Sequence, residues 1–326
     1  MKVCVFGAGA VGSHIGARLS HARLASVSVV ARGAQLQAIR DHGLVLRSGN
    51  AEINGKPDTA TDYPASLPQQ DVVLVTLKAH ALPALAATFE RLTAPKGVVV
   101  FLLNGIPWWW PHARPAAQGP LRLLDPDGEL WNRVRSKTLG CVVYSPNELV
   151  APGVVLHQGG NRYVMGEPSD EQSERVRTVV ELFSKSGLPA EVSSDLRGEI
   201  WRKLMTNASG NSLAALTRLG HHAIASDPDI RQIGIRIMRE TLEVAAAHGW
   251  DFRKEIDIEK AAGRATPGPG PKPSMLQDVL LGRPVEVESH LGQTQAFARE
   301  KAVPVPTIDV VLPLLRGLDR SLRGAA

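Results

Sequence analysis

Apolar strands alternating with helical patterns through the first hundred residues, then an unbroken series of helical patterns after residue 194, predict an α/β fold. The expected architecture is a doubly wound sheet followed by an all-helical C-terminal domain. A third observation supports it: the first strand runs directly into a glycine-rich turn, residues 7–12 (GAGAVG), that opens a helix.

Each element follows from local pattern. Residues 2–6 (KVCVF) are β-branched and apolar, residues 13–19 turn helical, and residues 27–31 (VSVVA) form the second strand. A helix is expected over 35–42 and a small hairpin over 44–54. Residues 71–77 (DVVLVTL) and 97–103 (GVVVFLL) are continuous apolar runs with polar ends, as in strands covered on both faces by helices. Strands at 138–144, 154–157 and 162–165, a helix at 171–186 and a strand at 190–193 are expected to close the domain. Helical periodicity then covers 197–215, 229–248, 274–281, 287–301 and 307–318. Pro273 and Pro306 precede two of these helices, and Ser274 is a candidate cap for its own. The boundary is placed between 1–194 and 195–326, in keeping with about two domains for 326 residues. Residues 263–273 (GRATPGPGPKP) carry 4 prolines and read as a surface connector, with a flap beside Ser274 as the alternative.

Composition narrows the function classes. Hydrophobic residues at 44% and charged residues at 21% exclude a disordered chain and a collagen. The net charge of +5 comes with no run of five or six Lys/Arg, so nucleic acid is not an expected partner. A mild basic excess suits anionic cofactors and carboxylate substrates. The 2 cysteines, Cys4 and Cys141, lie in strand-like stretches and read as buried thiols, with no metal site. The longest apolar run is too short to span a bilayer, and no signal peptide precedes the first strand; a cytoplasmic protein without membrane contact is expected.

The turn formed by Gly7, Ala8, Gly9, Ala10, Val11 and Gly12 has the GxGxxG spacing in the strand–turn–helix context that gives it meaning. Gly7 permits the tight turn, Gly9 lets backbone approach a pyrophosphate, and Gly12 allows close helix–strand packing. The fold is therefore expected to be Rossmann-type and to bind a dinucleotide. An NAD-binding chain usually carries an acidic residue about 20 positions on. Here Arg32 (VVARG) stands in that region with no acid beside it, which suits a 2′-phosphate and hence NADP(H); a solvated loop arginine is the alternative. Lys78 and Asn104 end the next two buried strands, where ligands bind in such sheets. Asn104–Gly105 is also a strong turn dipeptide, but with Lys78 and the glycines nearby the ligand reading leads.

In the C-terminal part, residues 201–211 (WRKLMTNASGN) place Lys203, Asn207 and Asn211 at i, i+4 and i+8 on one helical face. One ammonium and two amides beside apolar neighbours suit a small oxygen-rich ligand, although a lone Lys-x-x-x-Asn would read as a solvated face.

Taken together, GAGAVG, VVARG, LVTLKAH, LLNGIPWWW, EIWRKLMTNASGN and SMLQDVLLGRPVEVE resemble the ketopantoate reductases (2-dehydropantoate 2-reductases), in order from residue 1 to about 320. The resemblance implies NADPH-dependent reduction of ketopantoate, a 2-oxo acid, to the 2-hydroxy acid pantoate, in pantothenate and coenzyme A biosynthesis. It also implies roles: Lys203 as catalytic proton donor, Glu286 as the acid near the lysine, and Asn207, Asn211 and Ser274 as substrate contacts. Asn104 would reach cofactor and substrate, while Arg32 and Lys78 would meet the cofactor phosphates. A homodimer is an assembly known among such proteins.

The chain departs from the family pattern at Ser212, where many members have proline, in TRLGHHA, which lacks a further asparagine, and in VESHLGQ after Glu286. These departures leave the reductase reading intact and open the identity of the 2-oxo acid. The alternatives are a reductase of another 2-oxo acid or imine, and a non-catalytic NADP-binding sensor. For Trp108, Trp109 and Trp110 the sequence leaves three roles open: a wall of the site, a buried packing element or a subunit contact.

Overall fold

The structure, a computed structural model, describes residues 1–114, 119–263 and 272–324. The chain divides into two compact units. One holds Met1–Leu103 and Trp108–Leu196, the other Asn104–Pro107 and Arg197–Ala326.

The first unit is built on an eight-stranded sheet. In chain order its strands are β1 (Lys2–Phe6), β2 (Ser26–Val30), β5 (Thr59–Thr61), β6 (Gln70–Val75), β7 (Thr93–Leu102), β8 (Thr138–Tyr144), β11 (Arg162–Gly166) and β12 (Ala190–Val192). Their spatial order is β12-β11-β8-β7-β6-β1-β2-β5, and every pairing is parallel except β11 with β8. The chain leaves β1 for β2 on one side and returns as β6 on the other. This reversal makes the carboxyl end of β1 a topological switch point, where such sheets bind ligands. Val3, Val5, Val27, Val29, Val72, Leu74 and Val100 are buried beneath α1 (Ala10–Ala22) and neighbouring elements, which explains their continuous apolar character.

A second sheet, not expected as such, has the order β4-β3-β10-β9, built from β3 (Leu44–Ser48), β4 (Ala51–Gly55), β9 (Asn147–Ala151) and β10 (Val154–His157). The hairpin predicted over 44–54 is present, but residues 154–157 join it rather than the main sheet, pairing parallel to β3. Alternation within single strands cannot say which sheet a strand enters. The remaining helices of this unit are α2 (Gly33–His42), α3 (Ala86–Leu92), α4 (Glu129–Arg133) and α5 (Glu174–Lys185). The last begins after Glu171, because the Ser173 hydroxyl accepts from the Val176 N–H and caps it.

The three adjacent tryptophans are packing elements. Trp108, Trp109 and Trp110 are all buried, the Trp108 ring meets Phe101 edge-on at 5.2 Å, and the Trp109 ring lies where a Cβ on Gly140 would stand. Cys4 and Cys141 are buried free thiols, and burial pushes the Cys4 thiol up to about 12.

The second unit is helical: α6 (Leu196–Thr217), α7 (His221–Ser226), α8 (Pro228–Ala247), α9 (Ile258–Ala262), α10 (Ser274–Leu280), α11 (Gln293–Glu300) and α12 (Pro306–Leu322). Asp227 caps α8 by accepting from the Asp229 and Ile230 N–H groups, with Pro228 in the first turn. The Glu240 carboxylate accepts from Thr307 and Ile308 N–H at 2.8 and 2.9 Å, so a side chain of α8 caps α12. Trp201, Ile235, Met238, Leu291, Phe297 and Leu312 are among its buried residues.

The helix expected over 287–301 is interrupted by a π-turn at Glu288–Gly292. Ser274 is the first residue of α10 rather than its cap. Most of the proline-rich connector, residues 264–271, lies outside the described residues. Among the described residues no helix is long and apolar enough to cross a membrane, and no group of three His, Cys, Asp or Glu is placed to hold a metal ion.

Candidate active site

In the first unit, β1 ends at Phe6 and the chain turns at Gly7, whose φ of +109° favours glycine. The turn is held from both sides. Gly7 N–H donates to Val30 O at 3.0 Å, and the Thr76 hydroxyl donates to Gly7 O at 2.5 Å. A Cβ on Gly12 would overlap the Gly7 carbonyl oxygen, so the helix meets the turn only without a side chain there. Ser13 Oγ then donates to Ala8 O at 3.0 Å, and Ala10 and Val11 lean on the core.

Gly9 differs from its neighbours. It is exposed, and a Cβ built on it would meet no protein atom within 4 Å. It also stands at the N-terminus of α1, which has no side-chain cap and no acidic residue in its first turn. Open space in front of uncapped N–H groups at a positive helix end fits a pyrophosphate. Arg32 follows β2 at the N-terminus of α2; it is exposed, and its guanidinium makes no hydrogen bond or ion pair among the described residues. No acidic side chain stands in the first turn of that helix either. These donors fit a dinucleotide with an additional phosphate. Lys78, half-buried, follows β6 on the same edge of the sheet.

The second unit assembles a different group of side chains. Lys203 projects from α6, and its Nζ donates to Asn104 Oδ1 at 2.6 Å across 99 residues of sequence. Asn104 comes from the segment after β7, which is pinned within this unit. Ile106 N–H donates to Ser289 O at 2.6 Å, and Gly105, at φ +75°, is so close to Ser289 that a Cβ would overlap it. Ser289 belongs to the π-turn, three residues after Glu286, whose side chain is buried. His290 is buried too, and its Nδ1 donates to the Glu286 carbonyl at 2.9 Å. The π-turn thus holds the backbone of Glu286 at one end and the Asn104 turn in its middle.

One turn beyond Lys203, Asn207 is half-buried and its amide makes no hydrogen bond among the described residues. Asn211, a further turn on, is committed: its Oδ1 accepts from Ser274 Oγ at 3.1 Å and from Met275 N–H at 3.3 Å. Two family models match this chain. One, described as ketopantoate reductase PanE/ApbA, covers residues 3–170, and the other, described as its C-terminal part, covers residues 195–319. The chain belongs to the ketopantoate reductase family.

A 2-dehydropantoate 2-reductase of Mesorhizobium japonicum is 38% identical to this chain over 321 residues, 98% of each chain. A solved structure of a candidate ketopantoate reductase from Ralstonia solanacearum MolK2 is 34% identical over 99% of each chain, with a TM-score of 0.89. D-mandelate dehydrogenase, solved with NADH and anilino(oxo)acetate, shares the fold at 21% identity, covering 99% of this chain and 100% of that one, with a TM-score of 0.81.

The structure brings together Lys203 with Asn104, and Asn211 with Ser274, pairs that sequence spacing could not join. Sequence reading missed Thr76, Ser289 and His290, which hold the turns rather than face a ligand. The motif ESHLG did carry one signal: a Cβ on Gly292 would stand where the Glu288 carboxylate lies, so a side chain there would displace that carboxylate from its pairing with Arg316.

Proposed function

We propose that this member of the family reduces 2-dehydropantoate to pantoate with NADPH, the reductive step toward pantothenate and coenzyme A. The Lys203–Asn104 hydrogen bond, with the uncommitted Asn207 amide one turn away, is the observation that carries the reading. NADPH, when bound, supplies the hydride that reaches the keto carbon. Gly7 to Gly12 would hold its pyrophosphate, Arg32 its 2′-phosphate, and Lys78 and Asn104 its inner half.

As charge develops on the carbonyl oxygen, the Lys203 ammonium stabilises it and donates the proton that completes the alcohol. Asn104, fixed by the Ser289 backbone, sets the direction of that ammonium. Glu286 lies in the same assembly and orients the lysine or substrate hydroxyls. Asn207 would donate to the substrate carboxylate, while Ser274 is presented to it by Asn211. A neutral set of amides and a hydroxyl around one ammonium binds a single carboxylate without a second fixed charge.

A second reading, reduction of another 2-oxo acid on the same scaffold, draws on one observation. Asn211 spends its carbonyl oxygen on Ser274 and the first turn of α10, leaving fewer groups for a hydroxylated substrate. We also propose that the enzyme works as a homodimer, supported by an apolar surface on the second unit. The reaction is tested by following NADPH oxidation with ketopantoate and a panel of other 2-oxo acids, with NADH alongside. Oxidation that is selective for ketopantoate and for NADPH supports the first reading. Preference for another 2-oxo acid supports the second, and NADPH binding without turnover overturns both.

A further inference from the structure

The glycine turn and Arg32 are the two places in the first unit suited to cofactor phosphates, and one side chain ties them together. Gln35 stands one turn after Arg32 on α2 and is half-buried. Its Nε2 donates to Ser13 Oγ at 3.0 Å, and its Oε1 accepts from the Gly153 N–H at 2.8 Å. Ser13 is fully buried in the first turn of α1, and its hydroxyl proton is already given to Ala8 O in the glycine turn, at 3.0 Å. A line of bonds therefore runs from Gly153, between β9 and β10, through Gln35 and Ser13 to Ala8.

Donor and acceptor roles leave the Gln35 amide one orientation. A backbone N–H needs its carbonyl oxygen, and a serine oxygen whose proton is spent needs its NH2 group. Reversing the amide would break both bonds, so Gln35 is a strut fixed at two points. The helix it belongs to needs one. Of the 10 residues of α2, Leu36 and Ile39 are buried. The C-terminal half is tied to the main sheet by Arg40 Nε, which donates to Ala60 O at 3.0 Å. The other end, which carries Arg32, has no side-chain cap and begins with Gly33 at φ +54° and Ala34. An arginine on a loose helix start loses more conformational freedom on meeting a phosphate than one whose backbone is already held.

We infer that Gln35 is a positioning residue for recognition of the 2′-phosphate of NADPH: it fixes the start of α2, and with it Arg32, at a set separation from the N-terminus of α1. NADH has no 2′-phosphate and would use the glycine turn without Arg32, so the strut acts on the choice between the two cofactors. The inference rests on the proposed contact of Arg32 with the 2′-phosphate and adds a residue that acts through Arg32 without touching the cofactor.

The test is the ratio of the dissociation constants of NADH and NADPH, measured by calorimetry on the full chain, with circular dichroism to confirm folding of each variant. A loss common to both cofactors, from a looser glycine turn or a partly unfolded sample, cancels in that ratio. Gln35→Met keeps the length of the side chain and removes both bonds; it should lower the ratio about fivefold, the worth of one hydrogen bond. Ser13→Ala breaks the strut from its other end and should lower the ratio to a similar degree, and the double variant no further than either alone. Arg32→Ala should lower it about tenfold or more, and in that background Gln35→Met should change it by less than about twofold. A ratio unmoved by Gln35→Met and Ser13→Ala, while Arg32→Ala collapses it, overturns the positioning role and leaves the Arg32 contact standing. An equal loss from Gln35→Met with and without Arg32 does the same, because the strut would then act elsewhere. A wild type that binds both cofactors alike, or an Arg32→Ala variant that keeps the wild-type preference, overturns the Arg32 contact and this inference with it.

Discussion

Lowering the pH below about 6.5 should destabilise the first unit because of His14. This residue follows the glycine turn on α1 and is fully buried. Its Nδ1 donates to Asn147 Oδ1 at 2.7 Å, and its Nε2 is buried without a hydrogen-bond partner among the described residues. Burial is the main cause that lowers its pKa from 6.5 to about 4, with His157 and Arg18 adding repulsion and the Asn147 bond opposing them. The His157 ring stands 4.8 Å away and Tyr163 borders the pair at 6.4 Å. Above about pH 6.5 the imidazole is neutral in both folded and unfolded chains and contributes no slope. As pH falls below that value the unfolded chain takes up the proton and the folded chain does not, so stability drops until the folded pKa near 4 is reached. At 1.36 kcal/mol per unit, the span corresponds to about 3 kcal/mol in full, and to about 2 kcal/mol by pH 5. Urea unfolding followed by tryptophan fluorescence reads this unit well, since Trp108, Trp109 and Trp110 are buried in it. His14→Gln can still donate to Asn147 and does not titrate. The wild type should lose about 2 kcal/mol more than the variant between pH 6.5 and 5. Equal slopes in the two proteins would refute the burial argument.

Other expected outcomes concern the proposed chemistry. Lys203→Ala should lower kcat about 10² to 10⁴-fold with NADPH affinity retained, as measured by steady-state kinetics and cofactor titration. Arg32→Glu should shift the NADPH-to-NADH ratio of kcat/KM by about tenfold or more toward NADH, because it replaces the phosphate's counter-charge with a like charge. Asn207→Ala should raise KM for the oxo acid about tenfold, the worth of one hydrogen bond to a carboxylate, with a smaller effect on kcat. Gly12→Ala should remove cofactor binding, because its methyl group cannot share space with the Gly7 carbonyl; calorimetry with NADPH reads this directly.

Much of this molecule is legible because local chemistry and global fold agree. The strand–glycine turn–helix unit is dictated by sterics within residues 2–22, and the buried parallel strands announce themselves by their apolar runs. What escapes the sequence are interactions decided by other parts of the chain. The strand at Val154–His157 enters a second sheet because Leu44–Ser48 offers it an edge, a fact not encoded in its own four residues. The tryptophans could have faced any of three environments until Gly140 and Phe101 were seen to receive them.

The candidate site shows the same division within single side chains. Lys203, Asn207 and Asn211 share a helical face, and from spacing alone they are equivalent ligands for a substrate. The structure gives them different work. Asn211 is turned into a cap and clamp for Ser274, Asn207 keeps its amide uncommitted, and Lys203 is aimed by an asparagine nearly a hundred positions earlier. That aim depends on Gly105 fitting against Ser289, which in turn depends on a π-turn where the sequence pattern reads as continuous helix. A regular helix through Glu288–Gly292 would rotate Ser289 relative to Glu286 and remove the acceptor that pins Ile106. The irregular turn is therefore part of the lysine's positioning, and the substitutions this family member carries in VESHLGQ bear on the direction of the Lys203 ammonium, the proposed proton donor, as much as on the residues around it.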